Sequence, residues 1–215
     1  MLGFVEEIVL LQLDERGRLI ELPLSAADVV LAGAALMELA LRNKVDTDVN
    51  RFFMVDREPT GDEILDDALN TLVAAGSDAT TSAAIERITL NARSYRDIAL
   101  KRLVERGVLR EEEGRFLWVF HTRRYPVIDD TEQREVRARL RQLILTDEIP
   151  DPRDVVLLCM IEACGLLKFL LFPDELARRQ DRIDRLKQLD LIGQAMTKAV
   201  EEICFMIRTA TGAVD

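Results

Sequence analysis

Residues 26–42, AADVVLAGAALMELALR, limit most what this chain can fold into. Their spacing predicts a helix, with Ser25 at the N-cap and Asp28 three residues on to satisfy free amides. Val29, Val30, Leu31, Leu36, Met37, Leu39 and Leu41, with the alanines between them, leave almost no polar face. A helix that is apolar nearly all round must be covered on several sides by other elements. Gly33 costs about 1 kcal/mol relative to alanine, a cost that a closely approaching backbone would offset. The expected fold is therefore mainly α: one globular domain, a helical bundle around a central buried helix, with short β-hairpins.

The length of 215 residues suits a single core. Hydrophobic residues make up 48% and charged residues 32%, an ordinary globular balance, and the low aromatic content of 5% fits a helical chain. The formal net charge of −10 argues against a nucleic-acid partner. It also repels anionic membranes, so lipid contact requires a local basic patch. Cys159, Cys164 and Cys204 form no CxxC pair and sit in apolar stretches, as reduced core thiols of a cytoplasmic protein would. Glu6 and Glu7 stand where a secretory signal would carry positive charge. Residues 155–172 carry only Glu162 and Lys168 as charges. A buried core helix is the favoured reading there, and a membrane-dipping segment the alternative.

Along the chain, residues 4–13 read as a short helix ended by the turn 14–17, and residues 44–55 as one or two short strands. Thr60 and Glu63 have capping-box spacing ahead of a helical stripe that includes Ile64, Leu65, Ala68 and Leu69. Asp62, Asp66 and Asp67 fit helix capping better than a cation site. A polar linker over 76–82 precedes helices at 83–90 and 94–106, the second stopped by Gly107. Residues 108–120 read as a hairpin turning through the acidic REEEGR, whose charge argues against a winged helix on nucleic acid. A helix follows Pro126, the loop 149–154 leads into the apolar stretch, and a last helix covers about 191–209.

Chemistry is sparse. His121 is the lone histidine, no serine lies in GxSxG, and no glycine-rich phosphate loop occurs. No enzyme, metal site or cofactor is expected. Two basic runs stand out: residues 121–141, with six arginines against four acids, and residues 178–187, with five cations against two acids. On a helix, Arg134, Arg137 and Arg141 share one side and could hold a phosphate or an anionic headgroup. The alternative is a solvated face paired with Glu132 and Glu135.

Several segments together resemble the Golgi phosphoprotein 3 family: EEIVLLQLDERG (6–17), LMELALRNKV (36–45), PTGDEILDDAL (59–69) and LVERGVLREEEGRFL (103–117). YPV (125–127) and the loop containing DPR (151–153) follow in the same order, so the resemblance runs from about residue 2 to 207. It implies a non-enzymatic peripheral membrane adaptor that recognises phosphatidylinositol 4-phosphate at the Golgi, retains glycosyltransferase clients and self-associates as a homo-oligomer through a hydrophobic hairpin loop. It also implies a headgroup pocket with a tryptophan and an arginine at positions occupied here by Pro23 and Ala32. Further basic positions of that pocket fall nearest Glu132 and Glu135, and a small gap would bring Arg134 and Arg137 into place. Exchanging an aromatic and a cation for Pro and Ala should weaken headgroup binding. Arg16, Arg18, Arg123 or Arg124 would then have to substitute. Ile149, Pro150, Leu170, Leu171 and Phe172 are the candidates for membrane contact. The chain is expected to begin at the domain, without the basic arm of the eukaryotic members. Arginine outnumbers lysine 24 to 5, which points to a GC-rich bacterial genome. A scaffold that kept the fold and lost the headgroup site is the alternative function.

Overall fold

The computed structural model describes residues 2–47, 52–76, 80–116, 120–188 and 194–212. Among these are nine helices and two antiparallel hairpins. The helix expected at the centre is α2, Leu24–Leu41. It packs on α1 (Phe4–Leu11), α3 (Glu63–Ala75), α4 (Thr81–Thr89), α5 (Ala92–Glu105), α7 (Pro152–Ala163) and α9 (Gln194–Thr211). Val30, Leu31, Ala32, Leu36, Met37 and Leu39 have at most 1% exposure, as an all-round apolar helix requires. Its start differs from expectation: Pro23, not Ser25, is the N-cap, and no side chain caps it. Gly33 also has a different partner from the one foreseen. A Cβ there would lie 2.5 Å from Cγ2 of Ile203, so the glycine admits a side chain of α9 rather than a neighbouring backbone.

The first hairpin pairs β1 (Val45–Thr47) with β2 (Phe52–Met54). Lys44 then ties the end of α2 to the loop before α3, donating to Asp56 and to the Glu58 carbonyl at 2.9 Å. Asp62 is the N-cap of α3, accepting from the amides of Ile64 and Leu65. Thr60, expected as the cap, instead bonds Asp66 through its hydroxyl at 2.7 Å. An aspartate at the cap position outcompetes a threonine two residues earlier because its carboxylate reaches two amides at once.

The second hairpin pairs β3 (Glu112–Phe116) with β4 (Phe120–Arg124). Gly114 pairs with Thr122 inside the ladder, so residues 112–115 of the stretch read as the turn are strand, and the tip at 117–119 lies outside the described residues. The helix α6, Thr131–Leu145, packs on α1, α7 and α8 (Pro173–Lys187). The apolar stretch 155–172 is broken: α7 has 12 residues, Gly165 turns the chain at φ 69°, and a 3₁₀ turn covers Leu166–Phe169. No described helix is long and apolar enough to cross a membrane. Burial lifts the thiols of Cys159 to about 11 and Cys164 to about 12, and raises that of Cys204, so all three are protonated packing groups.

Candidate functional site: an arginine-lined surface pocket

Four of the segments that carry the family resemblance, 6–17, 36–45, 103–117 and 151–153, contribute side chains around α1. Glu7, 1% exposed, accepts Arg139 Nη2 at 2.8 Å and Arg153 Nη1 at 2.6 Å. Arg153 also donates to the Leu2 carbonyl and lies 4.2 Å over the Phe4 ring. Asp154 accepts Arg139 Nε at 3.1 Å. Burial raises the Asp154 carboxyl, against the pull of Arg139. Arg139 stays above its ordinary value because Glu7 and Asp154 overcome its own desolvation. Glu6 accepts the Gly3 amide at 2.9 Å, with Arg106 at 3.7 Å, and Glu38 accepts the Phe4 amide at 2.7 Å. Two buried acids on an apolar helix require such partners. These motifs brace the fold.

The two basic runs face each other. Arg141 of α6 grips Glu175 of α8 through two nitrogens, at 2.8 and 3.1 Å, and donates to the Leu170 carbonyl at 2.9 Å. Arg137 donates to the Phe169 carbonyl at 3.0 Å. In return, Arg179 and Arg182 of α8 donate to the Leu145 and Glu148 carbonyls at the end of α6. Each helix thus supplies guanidiniums to backbone oxygens left free where the other segment ends. Arg134, 71% exposed, pairs with Asp130 at 3.2 Å. The three candidate arginines therefore do not form one open edge: Arg141 is held by Glu175, Arg134 pairs with Asp130, and Arg137 opens onto a cavity.

That cavity, of about 490 Å³, is lined by Leu13, Asp14, Glu15, Arg16, Arg18, Ile20, Arg137 and Phe169. Local backbone bonding builds it. The chain reverses between Gln12 and Ile20, with Gly17 at φ 69°. The Gly17 carbonyl accepts the Tyr125 amide at 2.7 Å, and a Cβ at Gly17 would meet the Pro126 nitrogen at 2.2 Å. Only glycine allows this turn to seat on the YP segment. Asp14 Oδ1 accepts the amides of Arg16 and Arg18, and its Oδ2 accepts Arg18 Nε at 2.8 Å. Burial pulls the Asp14 carboxyl upward, but these bonds from Arg18 and Arg16 outweigh it and hold it below the usual range. Desolvation lowers Arg137, whose Nε has no partner among the described residues. Arg123 and Arg124, exposed at the end of β4, sit directly before Tyr125 and outside the lining. Arg123 pairs with Glu111 at 3.4 Å.

The resemblance implies Pro23, Ala32 and Glu135 as positions of a headgroup pocket. Ala32 is fully buried within α2, Pro23 is exposed at its start, and Glu135 lies on α6 beside Arg139. Near the start of α2, Arg93 of α5 lies 3.8 Å from Asp28. Sequence reasoning missed it because α5 was read for its glycine stop and hairpin alone. Of the candidates for membrane contact, Leu170 and Leu171 are buried, since the 3₁₀ turn directs them into the core. Phe172 and Ile149 are 71% and 95% exposed. Phe169, which was not singled out, is 44% exposed beside the arginine-lined cavity. Ile149 and Pro150 line a second cavity of about 170 Å³ with Glu148, Asp151 and Asp154, an acidic setting. Among the described residues, no group of three or more His, Cys, Asp and Glu could hold a metal ion.

Fold and site define a single-domain helical bundle braced by buried ion pairs, with a cationic pocket open at its surface. The chain belongs to the Golgi phosphoprotein 3 (GPP34) family, whose sequence profile matches residues 4–203. It is similar to the vacuolar protein sorting-associated protein 74 of Schizosaccharomyces pombe, 28% identical over 65% of this chain and 47% of that protein. The protein of the same name from Eremothecium gossypii is 25% identical over 87% of this chain and 67% of its own length. The chain thus spans about half of the first relative and two thirds of the second. Both relatives are fungal, which leaves the bacterial origin read from the arginine-to-lysine ratio without support.

Proposed function

We propose that this protein is a non-enzymatic adaptor on the cytoplasmic face of an anionic membrane, binding a phosphoinositide or another acidic lipid and carrying a protein client. One observation supports the reading above all: the Gly17 turn, seated on Tyr125–Pro126, brings Arg16 and Arg18 into one open pocket with Arg137 and Phe169. Guanidiniums suit phosphate oxygens, and the exposed Phe169 and Phe172 on the adjoining turn supply apolar contact with lipid. A local basic pocket of this kind is what a chain of net charge −10 needs to approach an acidic surface. Family membership and the sorting-associated names of the relatives agree with an adaptor role. Self-association as a homo-oligomer belongs to the same proposal.

Flotation with vesicles containing phosphatidylinositol 4-phosphate, phosphatidylglycerol or cardiolipin, at two salt concentrations, tests it. Binding that weakens with salt and is lost in the Arg16/Arg18/Arg137→Ala variant supports the proposal. The absence of binding to every acidic vesicle at low salt sinks the lipid role and favours the protein scaffold, the reading to which Pro23 and the buried Ala32 lend weight.

A further inference from the structure

Asp14 sits where a ligand's anionic group would compete for the same donors. Its Oδ2 faces both Nε and Nη2 of Arg18 at 2.8 Å, while Oδ1 gathers the two turn amides. The lining carries three guanidiniums, of Arg16, Arg18 and Arg137, against two carboxylates, of Asp14 and Glu15. Only one acid touches an arginine there: Asp14 grips Arg18, and no such bond joins Glu15 to Arg16, Arg18 or Arg137 among the described residues. Arg18 remains 54% exposed in that pairing, so its outer edge is open to a visitor.

We infer that the pocket accepts a phosphomonoester and that Asp14 is its resident competitor, with the ligand's phosphate taking Arg18 over from the Asp14 carboxylate; this rests on the surface-binding role proposed above. A phosphomonoester near neutral pH carries up to two charges and three strong acceptor oxygens. It can outbid a single carboxylate for a shared guanidinium. A phosphodiester, with one charge, matches Asp14 and gains little. Asp14 thereby sets selectivity: it discourages weak anions while it keeps the turn in shape.

The substitution Asp14→Asn separates these two tasks. The amide oxygen can still accept the Arg16 and Arg18 amides, so the turn persists, while the charge opposing the ligand is removed. Glu15→Gln removes the same charge from the same lining without freeing Arg18. The probes are phosphatidylcholine vesicles carrying phosphatidic acid, a monoester, or phosphatidylglycerol, a diester, together with inorganic phosphate in solution. We expect wild type to prefer the phosphatidic acid vesicles. Asp14→Asn should strengthen binding to both, about fivefold for the monoester and more for the diester, and so narrow the preference, whereas Glu15→Gln should strengthen both by less and leave the preference unchanged. A response to inorganic phosphate would identify the free ion as a sufficient ligand; a response to vesicles alone would assign the site to a lipid headgroup. Equal gains in Asp14→Asn and Glu15→Gln would overturn the competition and leave only a general charge effect. Unchanged vesicle binding in Arg16/Arg18/Arg137→Ala would instead overturn the surface-binding role itself.

Discussion

Two arginine–carboxylate clusters in this molecule look alike in sequence and behave differently. Around Glu7 the carboxylate is 1% exposed, and the side chains of Arg139 and Arg153 are 23% and 20% exposed. Around Asp14 the corresponding figures are 29% for the acid and 54% for Arg18. In the first cluster the desolvated groups must remain paired, so the ion pairs lock α1 to α6 and α7. In the second, water screens the pair, Arg18 can exchange partners, and the arginines are available to a ligand. Burial, rather than the residue types, decides whether an arginine braces the fold or serves the surface.

The sharpest test of that contrast is Glu7→Ala. It leaves Arg139 and Arg153 without their shared acid and should cost about 3 kcal/mol of stability, read from urea unfolding. Vesicle binding per folded molecule should not change. A loss below about 0.5 kcal/mol, the range of an ordinary surface substitution, would erase the distinction between the clusters.

Gly17→Ala comes next, because Gly17 is where the open cluster is attached to the fold. A Cβ at φ 69° would collide with Pro126 and should cost about 2 kcal/mol, combining left-handed strain with overpacking. Unlike Glu7→Ala, it should also weaken vesicle binding, since Arg16 and Arg18 lose their placement. A destabilised variant with full vesicle affinity would detach the pocket from the proposed function. Arg16→Ala and Arg18→Ala should have the reverse signature. Each should change stability by less than about 0.5 kcal/mol while removing about 1 kcal/mol of attraction to an acidic membrane.

The buried half of this contrast was legible in the sequence only as a pattern. The apolar circumference of α2 announced the central helix, because a helix without a polar face has one stable environment. The segments that carry the family resemblance were visible as well, but not their purpose. Glu7 is adjacent to Glu6 on a short helix, and nothing local reveals that Arg139 and Arg153 close over it from more than a hundred residues away. Arg137, Arg139 and Arg141 alternate along α6, yet one faces the pocket, one Glu7 and one Glu175. Helical spacing groups Arg134, Arg137 and Arg141 on one side but cannot foresee that each meets a different partner: Asp130, the Phe169 carbonyl and Glu175. Arg16 and Arg18 entered only as substitutes, because their neighbourhood depends on how Gly17 docks against Tyr125.

The smallest effect distinguishes the clusters by pH. The Asp14 carboxyl is held below its ordinary value of 3.8, so the unfolded chain binds the proton first. Its contribution is complete above 3.8 and is lost as pH falls through the lower folded value. Asp154, raised by burial, has the opposite sign: the folded chain binds the proton first, and acidification through its raised value favours the folded state. The stability gap between wild type and Asp14→Asn should therefore be flat from neutral pH down to about 4 and then close, never exceeding about 1 kcal/mol for so exposed a pair. The stability of wild type relative to Asp154→Asn should instead rise as pH falls through the window just above 3.8, where only the folded carboxyl takes up its proton. Urea midpoints for the three proteins between about pH 3 and pH 8 measure both slopes. Gaps that move in the same direction would mean that Asp154 is as well solvated as Asp14, and that the bracing cluster is open to water where it meets the second cavity.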